Sequence, residues 1–384
     1  MSAVPVLTGT PLGPAGPGRP LLLLGPAIGT SAATLWARCA AQLAADFEIL
    51  AWDLPGHGAS APAADGYSIA ELAEGVLALA GPRPFVYAGD SMGATVGLQL
   101  LLEHPDRVTA AALLCTGAKI GTTGSWQDRA ALVRAEGTAA VVPLAAGTWF
   151  APGFAEREPA VASVLLEALA GADDASYAWA CEALAGFDVR DRLGEIAAPV
   201  LAVAGAEDTR TPVDGLRLIA DGVRDGRLAV LDTVAHLAPA EQPRATAALV
   251  AGHLIGRGRT LEDVQAAGHA VRREVLGDAH VDRAVARTTG LDRDFQDFIE
   301  QYAWGSIWTR PGLDRRSRSM VVLTALVARG HHEELAMHLR AARTNGLTLE
   351  EITEVLLQTA IYCGVPDANT AFRIARTVFE EDTP

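Results

Sequence analysis

Short apolar runs alternate with longer amphipathic stretches over the first two thirds of the chain. Each run is only a few residues long, as is typical of a buried β-strand. The predicted strands are Leu21–Leu24, Glu48–Trp52, Phe85–Ala88, Ala110–Cys115, Val200–Ala204 and Leu228–Leu231. Because helical sequence separates these runs, the pattern predicts an α/β fold, a mainly parallel sheet covered by helices on both faces.

This alternation is interrupted twice. Between about residues 118 and 195 the strand-like runs stop, which predicts a helical lid inserted between two strands. A short Gly- and Arg-rich stretch, residues 256–260, then predicts a linker. Residues 261–384 carry helix and turn signals but no strand signal. We therefore expect an α/β domain over residues 1–255 and an all-α domain over residues 261–384.

Length and charge agree with two domains and narrow the classes of function. A chain of 384 residues, half of them apolar, exceeds the size at which a single core usually stops growing. The net charge of −15 disfavours nucleic acid and anionic membrane surfaces as partners. The run Leu21–Leu24 is too short to span a bilayer, and the Pro- and Gly-rich N-terminus lacks a signal-peptide pattern. We expect a cytoplasmic protein.

The four cysteines are scattered and form no C-x-x-C pair; they are Cys39, Cys115, Cys181 and Cys363. This spacing is typical of reduced, buried thiols rather than of disulfides or a zinc site. We expect neither a metal nor a cofactor.

The stretch "YAGDSMGATVG" carries the first candidate for chemistry. Gly89, Ser91 and Gly93 match G-x-S-x-G, with an apolar strand before them and a helix after them. Such a strand, turn and helix would expose the Ser91 hydroxyl on a strained elbow beside a helix N-terminus. The pattern predicts a serine nucleophile.

Two later predicted strands end in the residue types that a serine nucleophile needs. Asp208 follows the strand Val200–Ala204, and His236 follows the strand Leu228–Leu231. Serine requires a base, and the histidine requires a carboxylate that fixes its tautomer. The chain order Ser91, Asp208, His236 is that of an α/β-hydrolase triad. The alternative is that Asp208 caps a helix and that His236 is an ordinary loop residue.

The rest of this predicted site comes from backbone and lid. Two backbone N–H groups, those of Met92 and Ile28, are expected to form the oxyanion hole. The lid carries aromatic and arginine residues that could contact substrate or simply form the core of the lid. The lid candidates for substrate binding are Trp126, Arg129, Arg134 and Trp149.

The segment "GHHEELAMH" is the chemical cluster of the second domain. Helical spacing places His331, Glu334 and His338 on one face, so an acid and a base point the same way. A solvated helix face with capping histidines and a metal site remain open alternatives on spacing alone.

Residues 20–255 resemble the 3-oxoadipate enol-lactone hydrolases. The motifs "IGTSAATLW", "DLPGHGAS", "GDSMGATVGLQL", "GAKIGTTGSWQDR" and "GAEDTRTP" carry this resemblance. Two departures stand out: the chain before Leu21 is short and rich in Pro and Gly for an opening hairpin, and Pro26-Ala27 replaces a polar pair. The resemblance implies that Ser91, His236 and Asp208 hydrolyse a lactone.

Residues 260–381 resemble 4-carboxymuconolactone decarboxylase. The motifs are "YAWGSIWTRPGLDRRSRSMVVLTALVARG", "ELAMHLRAARTNGLTLEEITEVLLQTAIYCGVP" and "AN…AFRIA". Related peroxidase-type proteins carry C-x-x-C where this chain has His331 and Glu334, so disulfide chemistry is unavailable here. The resemblance implies that His338 donates a proton, that Glu334 orients it and that His331 and Arg310 or Arg318 bind substrate. It also implies assembly as a homo-oligomer through the helical domain.

Together the two resemblances predict a bifunctional enzyme acting on small anionic lactones. The helical domain would decarboxylate 4-carboxymuconolactone, and the hydrolase domain would open the resulting enol-lactone to 3-oxoadipate. No cofactor is required, because the substrate itself accepts the electron pair. The alternatives are an esterase or perhydrolase of another substrate with a non-catalytic helical domain for oligomerisation, or a binding protein with an inactive site.

Overall fold

A computed structural model of the chain describes residues 4–14, 19–255, 261–310 and 313–381. The chain divides into two compact units, Met1–Arg259 and Thr260–Pro384. The linker predicted over residues 256–260 lies outside the described residues. No helix among the described residues is long and apolar enough to cross a membrane.

A seven-stranded sheet forms the centre of the first unit, with strand order β1-β3-β2-β4-β5-β6-β7. Its strands are Thr8–Pro11 (β1), Leu21–Gly25 (β2), Glu48–Asp53 (β3), Phe85–Asp90 (β4), Val108–Leu114 (β5), Val200–Gly205 (β6) and Gly226–Leu231 (β7). All neighbouring strands pair in parallel except β1, which pairs antiparallel with β3. The predicted α/β class is therefore confirmed, as is each of the six predicted strands.

Strand β1 was not predicted from the sequence. Its residues pair with β3 from Thr8 opposite Asp53 to Pro11 opposite Leu50. Proline lacks an N–H and is tolerated on such an edge strand. The Thr8 N–H also donates to the Ser60 Oγ at 2.8 Å. The Pro- and Gly-rich N-terminal segment thus still supplies one edge strand.

Helices flank the sheet on both sides of its buried strands. They are Ala32–Leu43 (α1), Ile69–Ala80 (α2), Met92–Glu103 (α3), Thr123–Glu136 (α4), Val142–Ala146 (α5), Phe154–Arg157 (α6), Pro159–Ala170 (α7), Asp174–Gly186 (α8), Val213–Gly222 (α9), Ala238–Glu241 (α10) and Pro243–Leu254 (α11). Reciprocal capping boxes start α1 at Ser31, α2 at Ser68 and α4 at Thr122. Helices α4 to α8 lie between β5 and β6 and form the lid.

The described residues of the second unit form helices joined by turns and include no strand, as predicted. Its helices are Leu261–Leu276 (α12), Asp278–Arg287 (α13), Arg293–Ile299 (α14), Arg315–Arg329 (α15), His332–Thr344 (α16), Leu349–Tyr362 (α17) and Val365–Glu381 (α18), with a π-helical segment at Glu300–Trp308. Leu323, Leu335 and Leu339 belong to its main core. A Cβ on Gly268 would lie 2.3 Å from the Glu300 carbonyl oxygen, so α12 approaches the π-helical segment through glycine.

Candidate active sites

Ser91 occupies a strained turn between β4 and α3. Its backbone has φ +51° and ψ −113°, a combination that non-glycine residues rarely adopt. The turn is held because the Ser91 N–H donates to the Leu114 carbonyl oxygen at 2.9 Å. A Cβ on Gly89 would lie 2.5 Å from the Gly93 carbonyl carbon, and a Cβ on Gly93 would lie 2.4 Å from the Gly25 carbonyl carbon. Both glycines are therefore required by close packing around the elbow.

The structure brings the three predicted triad residues into one hydrogen-bonded chain. The Ser91 Oγ lies 3.0 Å from the His236 Nε2, and the His236 Nδ1 lies 2.8 Å from the Asp208 Oδ2. All three residues are buried. The Thr211 hydroxyl donates to Asp208 Oδ2 at 2.5 Å, so the carboxylate is fixed from a second side. This geometry is suited to transfer of the hydroxyl proton to His236.

Burial and charge act in opposite directions on this triad. Burial disfavours the charged form of Asp208, but the interaction with His236 and the hydrogen bonds from Thr211 hold the pKa of Asp208 below its ordinary value. For His236, burial is the largest influence and lowers the pKa, while Asp208 raises it and Arg210 and Arg129 lower it further. His236 is therefore neutral at neutral pH, the state required of a base.

The two predicted oxyanion donors lie at adjoining turns. Within the described residues, the N–H groups of Ile28 and Met92 donate to no acceptor, which leaves them available to a substrate oxygen. The loop and the elbow are joined because the Gly93 N–H donates to the Pro26 carbonyl oxygen at 2.8 Å. The Trp36 Nε1 donates to the Gly25 carbonyl oxygen at 2.9 Å, which fixes the start of the same loop.

Glu241, which was not predicted, connects the lid to the loop that carries His236. Its Oε2 accepts from the Ala151 N–H at 2.7 Å. Its Oε1 accepts from the N–H groups of Ala235 at 2.9 Å and Leu237 at 3.4 Å, on either side of His236. One carboxylate therefore holds both neighbours of the histidine and a lid residue. A glutamate five residues after the candidate histidine was the available sequence signal.

Trp149, a predicted substrate-binding residue of the lid, contacts two parts of the catalytic site. Its carbonyl oxygen accepts from the His236 N–H at 3.1 Å. Its buried indole lies against the oxyanion loop, because a Cβ on Gly29 would be 3.3 Å from the ring. The lid segment therefore contacts both the base and the oxyanion loop.

The predicted lid residues Trp126, Arg129 and Arg134 have different surroundings. The Trp126 Nε1 donates to the Ile120 carbonyl oxygen at 2.7 Å, and the Arg129 guanidinium lies 4.8 Å from the centre of the Trp126 ring. Arg134 instead forms a surface ion pair with Glu182 at 2.6 Å. Arg134 is therefore not directed into the site, because it is satisfied by a neighbouring lid helix.

Two further residues near the triad were missed by the sequence analysis. Arg210 follows Asp208 by two residues and extends toward the lid, where it donates to the Thr148 Oγ1 at 3.1 Å. Asp90 precedes Ser91, and among the described residues both of its buried carboxyl oxygens lack a hydrogen-bond partner. Burial, followed by the charges of Asp208 and Glu241, raises the pKa of Asp90 well above its ordinary value.

Of the predicted cluster of the second unit, Glu334 and His338 lie on α16, whereas His331 is the N-cap residue with a non-helical backbone. The predicted helix face therefore does not include His331. His331 and Glu334 are exposed, and His338 is half-buried. Burial and the neighbouring His280 lower the pKa of His338 to about 4, while Glu334 acts in the opposite direction. His338 is thus neutral in the free protein. His280 on α13 was missed because no motif in the sequence marked it.

The structure places Arg310 and Arg318 close together, before and within α15. The Arg318 Nη2 donates to the Arg310 carbonyl oxygen at 2.8 Å, and its Nε donates to the Leu313 carbonyl oxygen at 3.1 Å. Arg318 is therefore partly committed to the loop before α15. Within the described residues, no group of three or more His, Cys, Asp or Glu side chains is arranged to hold a metal ion.

Comparisons with known proteins find two different families in different parts of the chain. Residues 20–140 match the α/β hydrolase fold family, and residues 293–377 match the carboxymuconolactone decarboxylase family. Over 59% of its length the chain is 35% identical to 3-oxoadipate enol-lactonase 2 of Acinetobacter baylyi, of which it covers 85%. Over another 30% it is 45% identical to 4-carboxymuconolactone decarboxylase of the same organism, of which it also covers 85%.

A solved structure supports the first of these matches. The enol-lactonase from Burkholderia xenovorans LB400 superposes with a TM-score of 0.62 at 30% identity, over 65% of this chain and 96% of that one. Both resemblances stated from the sequence motifs are confirmed by these comparisons.

Proposed function

We propose that this chain, which belongs to the α/β-hydrolase family in its first unit and to the carboxymuconolactone decarboxylase family in its second, catalyses two successive reactions. The second unit converts 4-carboxymuconolactone to 3-oxoadipate enol-lactone, and the first unit hydrolyses that lactone to 3-oxoadipate. One observation carries this proposal: the two relatives named for these substrates match different parts of the chain, each over 85% of its own length.

The decarboxylation needs the substrate's own π system and a proton source. The bond between the γ-carbon and its carboxylate breaks, and carbon dioxide leaves. The electron pair passes through the ring alkene onto the lactone carbonyl, which forms a dienolate. Protonation of the dienolate at the α-carbon gives the enol-lactone. The protein therefore has to hold an anion, stabilise the developing enolate and supply one proton.

His338 is the proposed proton donor, and Glu334 is proposed to orient it. In the free protein His338 is neutral, with a pKa of about 4 set by burial and by His280. An anionic substrate beside the ring favours the protonated form, so substrate binding would prepare the acid. Arg310 and Arg318 remain proposed substrate-binding residues.

Hydrolysis of the enol-lactone begins at Ser91. The Ser91 Oγ attacks the lactone carbonyl carbon while its proton passes to His236 Nε2, 3.0 Å away. The negative charge that develops on the carbonyl oxygen is stabilised by the N–H groups of Ile28 and Met92. When the tetrahedral intermediate collapses, the ring C–O bond breaks and the enol oxygen leaves with the proton from His236. The enol becomes a ketone, which makes ring opening effectively irreversible.

Release of the product repeats the same chemistry with water. His236 takes a proton from a water molecule, the resulting nucleophile attacks the acyl carbon, and the Ser91 oxygen leaves with that proton. Asp208 stabilises the imidazolium in both halves of the reaction. In this scheme three lid residues line the space that the substrate occupies: Trp126, Arg129 and Trp149.

The proposal extends to the metabolic pathway, the cellular location and the oligomeric state of the enzyme. We infer a cytoplasmic enzyme of protocatechuate breakdown that assembles as a homo-oligomer through its helical unit. Exposed apolar side chains at the turn between α17 and α18 support the assembly: Ile361 is 78% exposed, Tyr362 79% and Val365 70%. Light scattering of the purified chain tests the assembly, since a monomer at micromolar concentration would oppose it.

The proposed function is tested by supplying each substrate separately and identifying products by mass. Purified protein should release carbon dioxide from 4-carboxymuconolactone and should add water to the enol-lactone. If only the enol-lactone reacts, the helical unit is not a decarboxylase for this substrate. If only simple esters react, the first unit is an esterase of another specificity.

A further inference from the structure

Two arginine side chains of the first unit lie near the triad, because the charges of both act on His236 and lower its pKa. Arg129 extends from α4 over the ring of Trp126, and Arg210 extends from the loop after β6 to Thr148. Among the residues that the structure describes, neither forms an ion pair. Arg134, five residues further along α4, shows the contrast, because it pairs with Glu182 at 2.6 Å.

At Arg210, burial and the charge of Arg129 outweigh the opposing charge of Asp208. Burial, followed by the charge of Arg129, lowers the pKa of Arg210 to about 10. The nearest triad carboxylate, Asp208, has its oxygens occupied by His236, by the Thr211 hydroxyl and by backbone N–H groups. Two partly buried guanidinium groups that repel each other favour a site that an anion completes.

We propose that Arg129 and Arg210 form the site that binds the carboxylate of the lactone substrate. This inference rests on the proposed function of the first unit and names the two side chains that select its substrate class. In 3-oxoadipate enol-lactone the carboxylate is on a side chain of the γ-carbon, across the ring oxygen from the reacting carbonyl. An anion site at a fixed place therefore orients the carbonyl toward Ser91.

Arg210 is linked to the catalytic residues in two ways: by its own backbone and by a hydrogen bond to the lid. The Arg210 backbone N–H donates to Asp208 Oδ1 at 2.8 Å, so one loop presents both the acid and the guanidinium. Its partner Thr148 precedes Trp149, whose carbonyl oxygen accepts from the His236 N–H. Binding of a carboxylate at Arg210 would thus fix the lid segment that contacts the base.

The test compares two substrates with the same lactone ring, one anionic and one neutral. One is the enol-lactone with a free carboxylate, and the other is its methyl ester, which has the same ring. Arg210→Gln and Arg129→Gln should each lower kcat/KM for the carboxylate on the order of 10- to 100-fold, the range for lost charge-assisted hydrogen bonds. Neither variant should change kcat/KM for the methyl ester comparably. Arg134→Gln, on the same helix as Arg129, should leave both values unchanged.

Different results would overturn the anion site or the proposed function separately. If wild type hydrolyses the carboxylate and the methyl ester equally well, or if Arg210→Gln impairs both equally, the arginines do not select the carboxylate. If wild type hydrolyses neither, the proposed function fails. The anion site is then decided by calorimetric titration of wild type and variants with 3-oxoadipate, in which a protein carrying both Arg129→Gln and Arg210→Gln must lose binding that Arg134→Gln retains. Equal binding by all three proteins would refute the site.

Discussion

The two candidate sites of this chain are built on opposite principles. In the first unit, Ser91 and His236 lie 145 positions apart in the sequence but 3.0 Å apart in space. Parallel strands that end at one edge of the sheet bring them together and bury them. In the second unit, Glu334 and His338 lie on α16 and His331 is its N-cap residue, and all three remain half-buried or exposed.

The two sites differ in how far their side chains are held in place before substrate binds. The hydrolase triad is complete within the first unit, with each polar atom held by a neighbour. Within the described residues, the His338 ring makes no hydrogen bond, although His280 and Glu334 lie near enough to shift its pKa. The first site is therefore organised before substrate arrives, whereas we propose that the second relies on bound substrate for its charge state.

The largest effect should come from the carboxylate of the triad. Asp208→Asn leaves the shape of the loop but removes the acceptor that fixes the tautomer of His236. We expect kcat for the enol-lactone to fall about 10⁴-fold, the loss seen when a triad aspartate is changed in this way. Steady-state hydrolysis measures it. Glu207→Gln at the adjacent exposed position is the control and should retain normal kcat.

Substitution of His338 should impair decarboxylation and leave lactone hydrolysis intact. His338→Gln removes the proposed proton donor, and general acid catalysis typically contributes about 10²- to 10⁴-fold. Carbon dioxide release should fall by that factor while lactone hydrolysis is unchanged. His332→Gln, an exposed histidine on the same helix, is the control. If both histidine variants decarboxylate normally, the assignment of α16 is wrong.

A smaller loss tests whether the lid positions the base. Glu241→Gln replaces one carboxyl oxygen by an NH2 group, which cannot accept from the backbone N–H groups around His236 or from Ala151. A displacement of the base by about 1 Å costs about 100-fold, so we expect kcat to fall by up to this factor with little change in KM. Glu158→Gln breaks a surface ion pair between the lid and Arg38 and should have no effect. Equal losses in both variants would mean that the loss of kcat is not specific to the contacts of Glu241.

The pH dependence of lactone hydrolysis should reflect the charges around His236. Protonated His236 cannot accept the Ser91 proton, so activity is lost as pH falls through its pKa. Burial, Arg210 and Arg129 lower this pKa below its ordinary 6.5 and Asp208 opposes them, so the acidic limb of kcat/KM should lie below pH 6.5. With the neutral methyl ester, Arg210→Gln should move that limb upward by up to about one unit. A downward movement would contradict the account.

The smallest predicted effect concerns stability rather than activity. Burial raises the pKa of Asp90 in the folded protein, so the folded state binds a proton that the unfolded state loses above its ordinary carboxyl pKa. Its contribution to folding therefore becomes less favourable as pH rises. Between pH 5 and pH 8, the free energy of unfolding should fall in wild type because of Asp90. In Asp90→Asn it should fall by about 1–3 kcal/mol less. Denaturant unfolding at both pH values measures this difference.

The sequence predicted the features that follow from local pattern. Strand ends marked Asp208 and His236, and small residues around Ser91 marked the elbow. It did not indicate Arg210 or Glu241, because their roles depend on where the lid folds back. Arg134 illustrates the same limit: its partner Glu182 lies on another lid helix, and helical spacing alone could not identify which arginine faces inward.

In the second unit, the helical class was predictable from the absence of strand signals. The charge state of His338 was not, since it depends on His280, which lies on another helix. Strand β1 was missed for a related reason, because its proline and glycine residues are acceptable only at a sheet edge.

The central claim is that one chain performs both reactions in order, and one variant tests it most directly. Ser91→Ala is incubated with 4-carboxymuconolactone, and the products are followed by mass. We predict carbon dioxide release at the wild-type rate and accumulation of the enol-lactone, where wild type yields 3-oxoadipate. If Ser91→Ala still forms 3-oxoadipate at the wild-type rate, or if wild type leaves 4-carboxymuconolactone unchanged, the account is contradicted.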